Sequence, residues 1–221
     1  MIFSNRSEAG RLLAERLLPF KDRDPVVLAL VRGGLPVAYE VAHALGAPLD
    51  IVLVRKIGAP GSPELAAGAV VDGANPEIVR NPEVVEALAI GDAYFEREAK
   101  RELAEIERRR KLYLGDRSPA SVEGKTAIVI DDGIATGTSA RAALRAIRRR
   151  KPRRLVFAAP VGSRDMIEAL GAEADEVICL DAPDWMGAVG MFYRDFRQVE
   201  DDEVIALLDA ARTAPAKGRQ A

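Results

Sequence analysis

Helical and strand-like hydrophobic patterns alternate along most of the chain. After Asn5, Ala9, Leu12, Leu13 and Leu17 recur at helical spacing, and Asn5 with Glu8 forms a capping box. Residues 26–31 are instead an unbroken aliphatic run, as expected of a strand buried on both faces of a parallel sheet. Arg32-Gly33-Gly34 stops that run, and Pro36 opens a helix carrying Val37, Val41 and Leu45 up to Gly46. Residues 49–54 predict a second strand. The next stretch, 55–67, contains Pro60, Gly61, Ser62 and Pro63 and reads as a long irregular loop. Residues 68–71 predict a short strand, and Asn81-Pro82-Glu83 predicts the start of a brief helix.

The most polar helix is predicted from Asp92 to about Leu114, with Phe95, Ala99, Leu103 and Ile106 on one stripe to cover a sheet. Residues 126–130 repeat the buried-strand pattern, end in Asp131-Asp132, and lead through 133–139 into a helix that runs to Arg150. Two more strands are expected at 155–159 and 176–180, separated by a short helix that Ser163 caps and Gly171 ends. Residues 181–198 are irregular and aromatic-rich, a final helix is expected at 201–211, and 213–221 is expected to be a disordered tail. This alternation defines an α/β fold with a mainly parallel sheet flanked by helices.

Composition narrows the chemistry. With 48% hydrophobic and 30% charged residues over 221 positions, the chain has ordinary globular usage. Its 32 Lys and Arg against 34 Asp and Glu give a net charge of −2, which makes no global bid for nucleic acid or an acidic membrane. Phosphate recognition must therefore be local. Cys179 is the single cysteine and His43 the single histidine, which leaves no zinc-ligand cluster and fits a reducing compartment. No apolar leader and no run of ~20 apolar residues is present, so a cytoplasmic protein without a membrane partner is expected. The basic stretch Arg148-Arg149-Arg150-Lys151 follows a helix C-terminus, where cations complement the helix dipole, and it does not point to nucleic acid.

The strongest local signal is Ile128-Val129-Ile130-Asp131-Asp132-Gly133-Ile134-Ala135-Thr136-Gly137-Thr138-Ser139. It sets two carboxylates at the C-terminal end of a parallel strand, ahead of a small-residue loop that opens a helix, which is where open α/β sheets bind ligands. Backbone amides of Ala135, Thr136, Gly137, Thr138 and Ser139, with three hydroxyls and the positive helix end, suit a phosphate monoester. Asp131 and Asp132 suit sugar hydroxyls or Mg²⁺. A ribose 5-phosphate fits that spacing. The loop lacks the Gly-Lys-Ser/Thr of a Walker A motif and is not G-x-G-x-x-G.

This segment resembles the 5-phosphoribosyl diphosphate (PRPP) motif of the type I phosphoribosyltransferases. The chain from Asn5 through Gln198 resembles a group of bacterial members of that family of undefined substrate. The resemblance implies one domain over 1–212, with a core over about 20–180 and a small hood over about 181–198 to which the N-terminus contributes. It assigns Asp131 and Asp132 to the ribose hydroxyls, directly or through Mg²⁺, and residues 135–139 to the 5-phosphate. Arg32-Gly33-Gly34 resembles the family's pyrophosphate loop, with a non-proline cis peptide implied at Val31-Arg32. Arg55 and Lys56, cations leading into a loop that resembles the mobile catalytic flap, would meet pyrophosphate. Trp185, in a hood resembling those of purine enzymes, is the candidate to stack on a base, with Ile134 beside it.

Enzymes of the family acting on 6-oxopurines carry an acid where this chain has Ala135, which argues against hypoxanthine or guanine. The activity implied is transfer of ribose 5-phosphate from PRPP to a nitrogen nucleophile, a nucleobase, with Mg²⁺ as cofactor and a homodimer as the default assembly. The alternative is a non-catalytic regulatory module that binds PRPP or a nucleotide, because the fold serves both roles and the motif reports binding rather than chemistry.

Overall fold

The computed structural model describes residues 1–72 and 76–213. Eight strands and seven α-helices follow one another among these residues. Helix α1 (Arg6–Leu17) begins at Asn5, whose Oδ1 accepts from Glu8 N at 2.9 Å, while the Glu8 carboxylate turns back to Ser4 N. Strand β1 (Pro25–Leu30) leads to α2 (Gly34–Leu45), which stops at Gly46 in the left-handed region with φ 63°. Strand β2 (Leu49–Val52) follows, then β3 (Val54–Ala59), β4 (Ser62–Val71) and β5 (Glu77–Arg80). Helices α3 (Pro82–Ala87) and α4 (Asp92–Leu114) lead to β6 (Thr126–Ile130) and α5 (Thr138–Arg149). The chain closes with β7 (Arg154–Val161), α6 (Arg164–Leu170), β8 (Glu176–Asp181) and α7 (Asp201–Thr213).

The main sheet is parallel throughout, in the order β2-β1-β6-β7-β8. All six residues of β1 and all five of β6 are buried, which explains their continuous apolar runs. Successive residues face opposite layers. Val27, Ala29, Ile128 and Ile130 pack with Leu13, Leu17, Val37 and Val41 of α1 and α2. Leu28, Leu30, Ala127 and Val129 pack on the other side with Ala140, Ala143, Leu144 and Ile147 of α5. The parallel direction brings every strand of this sheet to the same edge with its C-terminus, so the turns that follow β1, β6 and β7 gather there.

The 55–67 segment departs from its reading as an irregular loop. β3 and β4 form an antiparallel hairpin joined through Pro60 and Gly61, where φ is 73°, and β5 completes a second, three-stranded sheet. Register shifts at Ile57/Gly58 and Gly58/Ala59 break the alternation that would have marked a strand. Tyr94 Oη, on α4, donates to Gly58 O at 2.7 Å and ties the hairpin to that helix.

The strand expected at 49–54 divides into β2, which ends at Val52, and the start of β3 at Val54 in the second sheet. The Val31-Arg32 peptide is cis. Residues 181–198 cover the edge where the strand ends gather, and Phe3 pairs with Tyr193 through Phe3 N to Phe192 O at 2.8 Å and Arg194 N to Phe3 O at 2.8 Å. The N-terminal segment is thereby fixed to the hood. Of the tail expected at 213–221, Thr213 ends α7 and the rest lies outside the described residues.

Helices α1 and α2 cross at Gly10, where an added Cβ would lie 2.7 Å from Val37 O and 2.9 Å from Glu40 Cβ. Gly10→Val should therefore push the helices apart at a cost of about 2 kcal/mol, lowering Tm by roughly 4–8 °C. Thermal unfolding followed by circular dichroism checks this, and an unchanged Tm would refute the close crossing.

Candidate active site

Asp131 and Asp132 stand at the end of β6, beside the turn that follows β1. The register Ala29↔Ile130 makes these two turns neighbours, and the contact is tight. A Cβ on Gly33 would lie 2.3 Å from Asp132 Oδ2, and one on Gly34 would lie 2.6 Å from Ile130 O. The two glycines thus open the space that the Asp132 carboxylate occupies, in addition to baring their amides. On the other side, Gly133 meets the hood, since a Cβ there would sit 2.5 Å from Val189 Cγ1.

Asp132 is only 9% exposed. Its Oδ2 accepts from Arg6 Nε at 2.8 Å, and its carbonyl accepts from Tyr193 Oη at 2.6 Å. Asp131 Oδ1 accepts from Asp132 N at 2.9 Å. Burial pushes both carboxyls above the ordinary aspartate range. For Asp131 the neighbouring Asp132 charge adds to the rise, whereas for Asp132 the Arg6 guanidinium works against it. The pair is an under-compensated negative centre that favours an arriving cation or hydroxyl donor. The Tyr193 hydroxyl is likewise pushed up, by burial and then by Asp132.

The loop from Ala135 reaches α5 through Gly137, which takes φ 65° as the N-cap residue. Only glycine adopts that conformation without strain. Ala135, Thr136 and Ser139 are exposed, and the amides of residues 136–139 donate to no partner among the described residues. Nor do the hydroxyls of Thr136, Thr138 and Ser139. Unengaged helix-terminal amides beside three hydroxyls make an anion cradle. Ser139, at the end of that loop, lines a cavity of about 270 Å³ together with Asp131, Asp132, Gly33, Val31, Val54 and Phe196.

The structure sorts the remaining predicted residues. Arg32 directs its Nη1 to Asp201 Oδ1 at 3.4 Å and Glu200 Oε2 at 3.8 Å, so its side chain is held by the first turn of α7 while the backbone of the 32–34 turn adjoins the carboxylates. Arg55 pairs with Glu102 of α4, Nε to Oε2 at 2.8 Å. Lys56, the next residue on β3, is exposed on the opposite strand face, the face of Val54, which lines the cavity. The two adjacent cations are therefore divided between two environments. Ile134 is 2% exposed and packs on Gly162, forming a wall behind the loop. Trp185 is 74% exposed on the hood.

Arg6, Tyr193 and Phe196 belong to the site and carried no signal in the sequence. Arg6 follows the helix cap and reaches the carboxylates only because Phe3 and Ser4 pair with residues 192–195. Burial raises the Cys179 thiol, on β8, to about 11. His43 stacks on Tyr39 at a centroid distance of 6.4 Å.

Comparison with known proteins agrees with this architecture. The five-stranded parallel sheet capped at its C-terminal edge is the fold of the type I phosphoribosyltransferases. The family model described as a phosphoribosyl transferase domain matches residues 3–197, and the chain belongs to that family. Two Mycobacterium tuberculosis sequences, from strains CDC 1551 and H37Rv and each named "Putative phosphoribosyl transferase", are 42% identical over 210 residues. The match covers 95% of this chain and 47% of theirs, so the chain spans about half the length of these curated relatives. The crystal structure of TT1426 from Thermus thermophilus is 46% identical, with a TM-score of 0.82, and the match covers 94% of this chain and 98% of that one. No helix among the described residues is long and apolar enough to cross a membrane.

The raised aspartates have a consequence for stability. A carboxyl whose folded pKa lies above its unfolded value of ~3.9 binds more protons in the native state, so it lowers stability as pH rises between the two values. Asp131→Asn should therefore raise the urea midpoint at pH 7 in metal-free buffer, with the gain shrinking toward zero as pH falls below ~4. A gain that stays constant down to acid pH would show that Asp131 carries no such penalty.

Proposed function

We propose that this chain is a Mg²⁺-dependent phosphoribosyltransferase that moves ribose 5-phosphate from PRPP to a ring nitrogen of a nucleobase, releasing pyrophosphate. The observation that carries this reading is the cavity lined by Asp131, Asp132 and Ser139, the last residue of a loop whose amides and hydroxyls are unengaged among the described residues. Few ligands other than a phosphorylated sugar need both at that spacing. In this reading residues 135–139 hold the 5-phosphate, and Asp131 and Asp132 orient the ribose through its 2′ and 3′ hydroxyls. The amides of Arg32, Gly33 and Gly34 receive pyrophosphate oxygens.

The carboxylates also suit Mg²⁺. They form a buried, mutually repelling pair, and no cluster of three or more Asp, Glu, His or Cys residues supplies a complete protein cage among the described residues. That is the pattern of Mg²⁺ held by one or two carboxylates and completed by substrate oxygens and water. The ion would neutralise charge on the departing pyrophosphate.

No side chain has to attack the sugar. The new bond joins C1 to the acceptor nitrogen, the C1–oxygen bond to pyrophosphate breaks with its electron pair leaving on pyrophosphate, and the ring N–H proton of a neutral base passes to pyrophosphate or water. The chain contributes position, charge and exclusion of water. In this reading the β3–β4 hairpin, which carries Lys56 on the face shared with the cavity-lining Val54, closes over the reacting atoms. Trp185, exposed on the hood, offers an indole face to a planar base.

Pyrophosphate release from PRPP and Mg²⁺, measured with one base per well, should identify an acceptor. Asp131→Asn combined with Asp132→Asn should lower that turnover by at least ~10³-fold, about 4 kcal/mol of lost transition-state stabilisation, with the far-ultraviolet spectrum unchanged. Turnover that persists in the folded double variant would overturn the assignment.

A further inference from the structure

Arg6 is held by three parts of the molecule at once. Its Nε donates to Asp132 Oδ2 at 2.8 Å, its Nη1 donates to Arg197 O at 2.8 Å, and its Cζ lies 3.9 Å above the centre of the Phe196 ring. Only 11% of the side chain is exposed. The guanidinium is therefore fixed in plane and orientation, while Nη2 donates to no partner among the described residues. Arg6 also lines both the cavity at the carboxylates, about 270 Å³, and an adjoining one of about 530 Å³ beneath residues 195–200. It bridges Asp132 and residues 196–197 of the hood.

The surrounding charges give this position a chemical meaning. Arg6 places a fixed positive charge beside the Asp131-Asp132 strand end, in contact with Asp132. The other hood arginine near the adjoining cavity, Arg197, is engaged by Asp195 at 2.7 Å. The 135–139 loop, Ala-Thr-Gly-Thr-Ser, offers no carboxylate to remove a proton from a neutral ring nitrogen. A nitrogen heterocycle that arrives already ionised needs no such base, and a fixed guanidinium recognises its delocalised charge and oxo groups by charge-assisted hydrogen bonds.

We infer that Arg6 is the specificity-determining residue of the acceptor subsite and selects an anionic, oxo-bearing nitrogen heterocycle over a neutral base. This rests on the transferase reading above and names the substrate class it takes. When the ring nitrogen bears the charge, its lone pair forms the bond to C1, the pyrophosphate oxygen takes the electron pair of the broken bond, and no proton passes to the protein. Arg6 keeps its stack on Phe196 and its bond to Arg197 O while presenting Nη2.

The test is equilibrium binding, so that it reads selection without requiring turnover. Calorimetric titrations of urate and 8-azaxanthine, both ionised on a ring nitrogen at neutral pH, and of adenine and cytosine, both neutral, are made on protein saturated with ribose 5-phosphate and Mg²⁺. At least one anionic probe should bind more tightly than either neutral one. Arg6→Gln should weaken the anion by ~10- to 100-fold and the neutral bases by less than ~3-fold, with Arg6→Lys intermediate. Wild-type protein that prefers a neutral base, or that binds neither anion, overturns the inference, and that result does not depend on how well either variant folds. Equal losses for anionic and neutral probes in a folded Arg6→Gln protein also overturn it. If the anion preference holds yet no probe releases pyrophosphate from PRPP, the transferase reading fails while the selection by Arg6 stands.

Discussion

The site depends on one close approach: the turn after β1 lies so near the end of β6 that a single methyl group at residue 33 would fall 2.3 Å from the Asp132 carboxylate. Parallel pairing of β1 and β6 sets the two strand ends level, and Gly33 and Gly34 let the turn fold in against them. Asp132 is then enclosed, with Arg6 and Tyr193 supplied from the N-terminal helix and the hood. Three distant pieces of sequence meet because one strand pair is in register and two side chains are reduced to hydrogen.

Enclosure has an electrostatic cost that the molecule leaves only partly offset. Burial raises both carboxyls, their mutual repulsion adds to it at Asp131, and one guanidinium compensates at Asp132. A short distance away the opposite condition holds, where the amides of residues 136–139 at the start of α5 carry uncompensated positive ends. On the proposed function, carboxylates at one end and helix-terminal amides at the other would suit a ligand that is anionic at one end and rich in hydroxyls or a bound cation at the other. In that reading, a bound ligand would return the stability given up at the carboxylates.

Much of this was legible in the sequence, and the failures have physical causes. β1 and β6 were readable because burial on both faces forces unbroken apolar runs. The Asp131-Asp132 strand end and the 135–139 loop followed from local order alone, since strand, carboxylates, cradle and helix are contiguous. The β3–β4 hairpin was not readable, because register shifts around Gly58 erase its alternation and Pro60 and Gly61 resemble a loop. Arg55 and Lys56 looked equivalent until the strand placed them on opposite faces, one held by Glu102. Arg6 could not be found from its neighbours at all. Its role arises from a bridge between Phe3 and Tyr193, a contact across most of the chain.

On the proposed function, one phosphorylated sugar spans the carboxylate pair and the helix-terminal loop, and a crystal structure with PRPP and Mg²⁺ is the decisive measurement. The 5-phosphate is expected within hydrogen-bond distance of the amides of residues 136–139, with both ribose hydroxyls on Asp131 and Asp132, directly or through the ion. A 5-phosphate bound anywhere else, with those amides left to solvent, would contradict it.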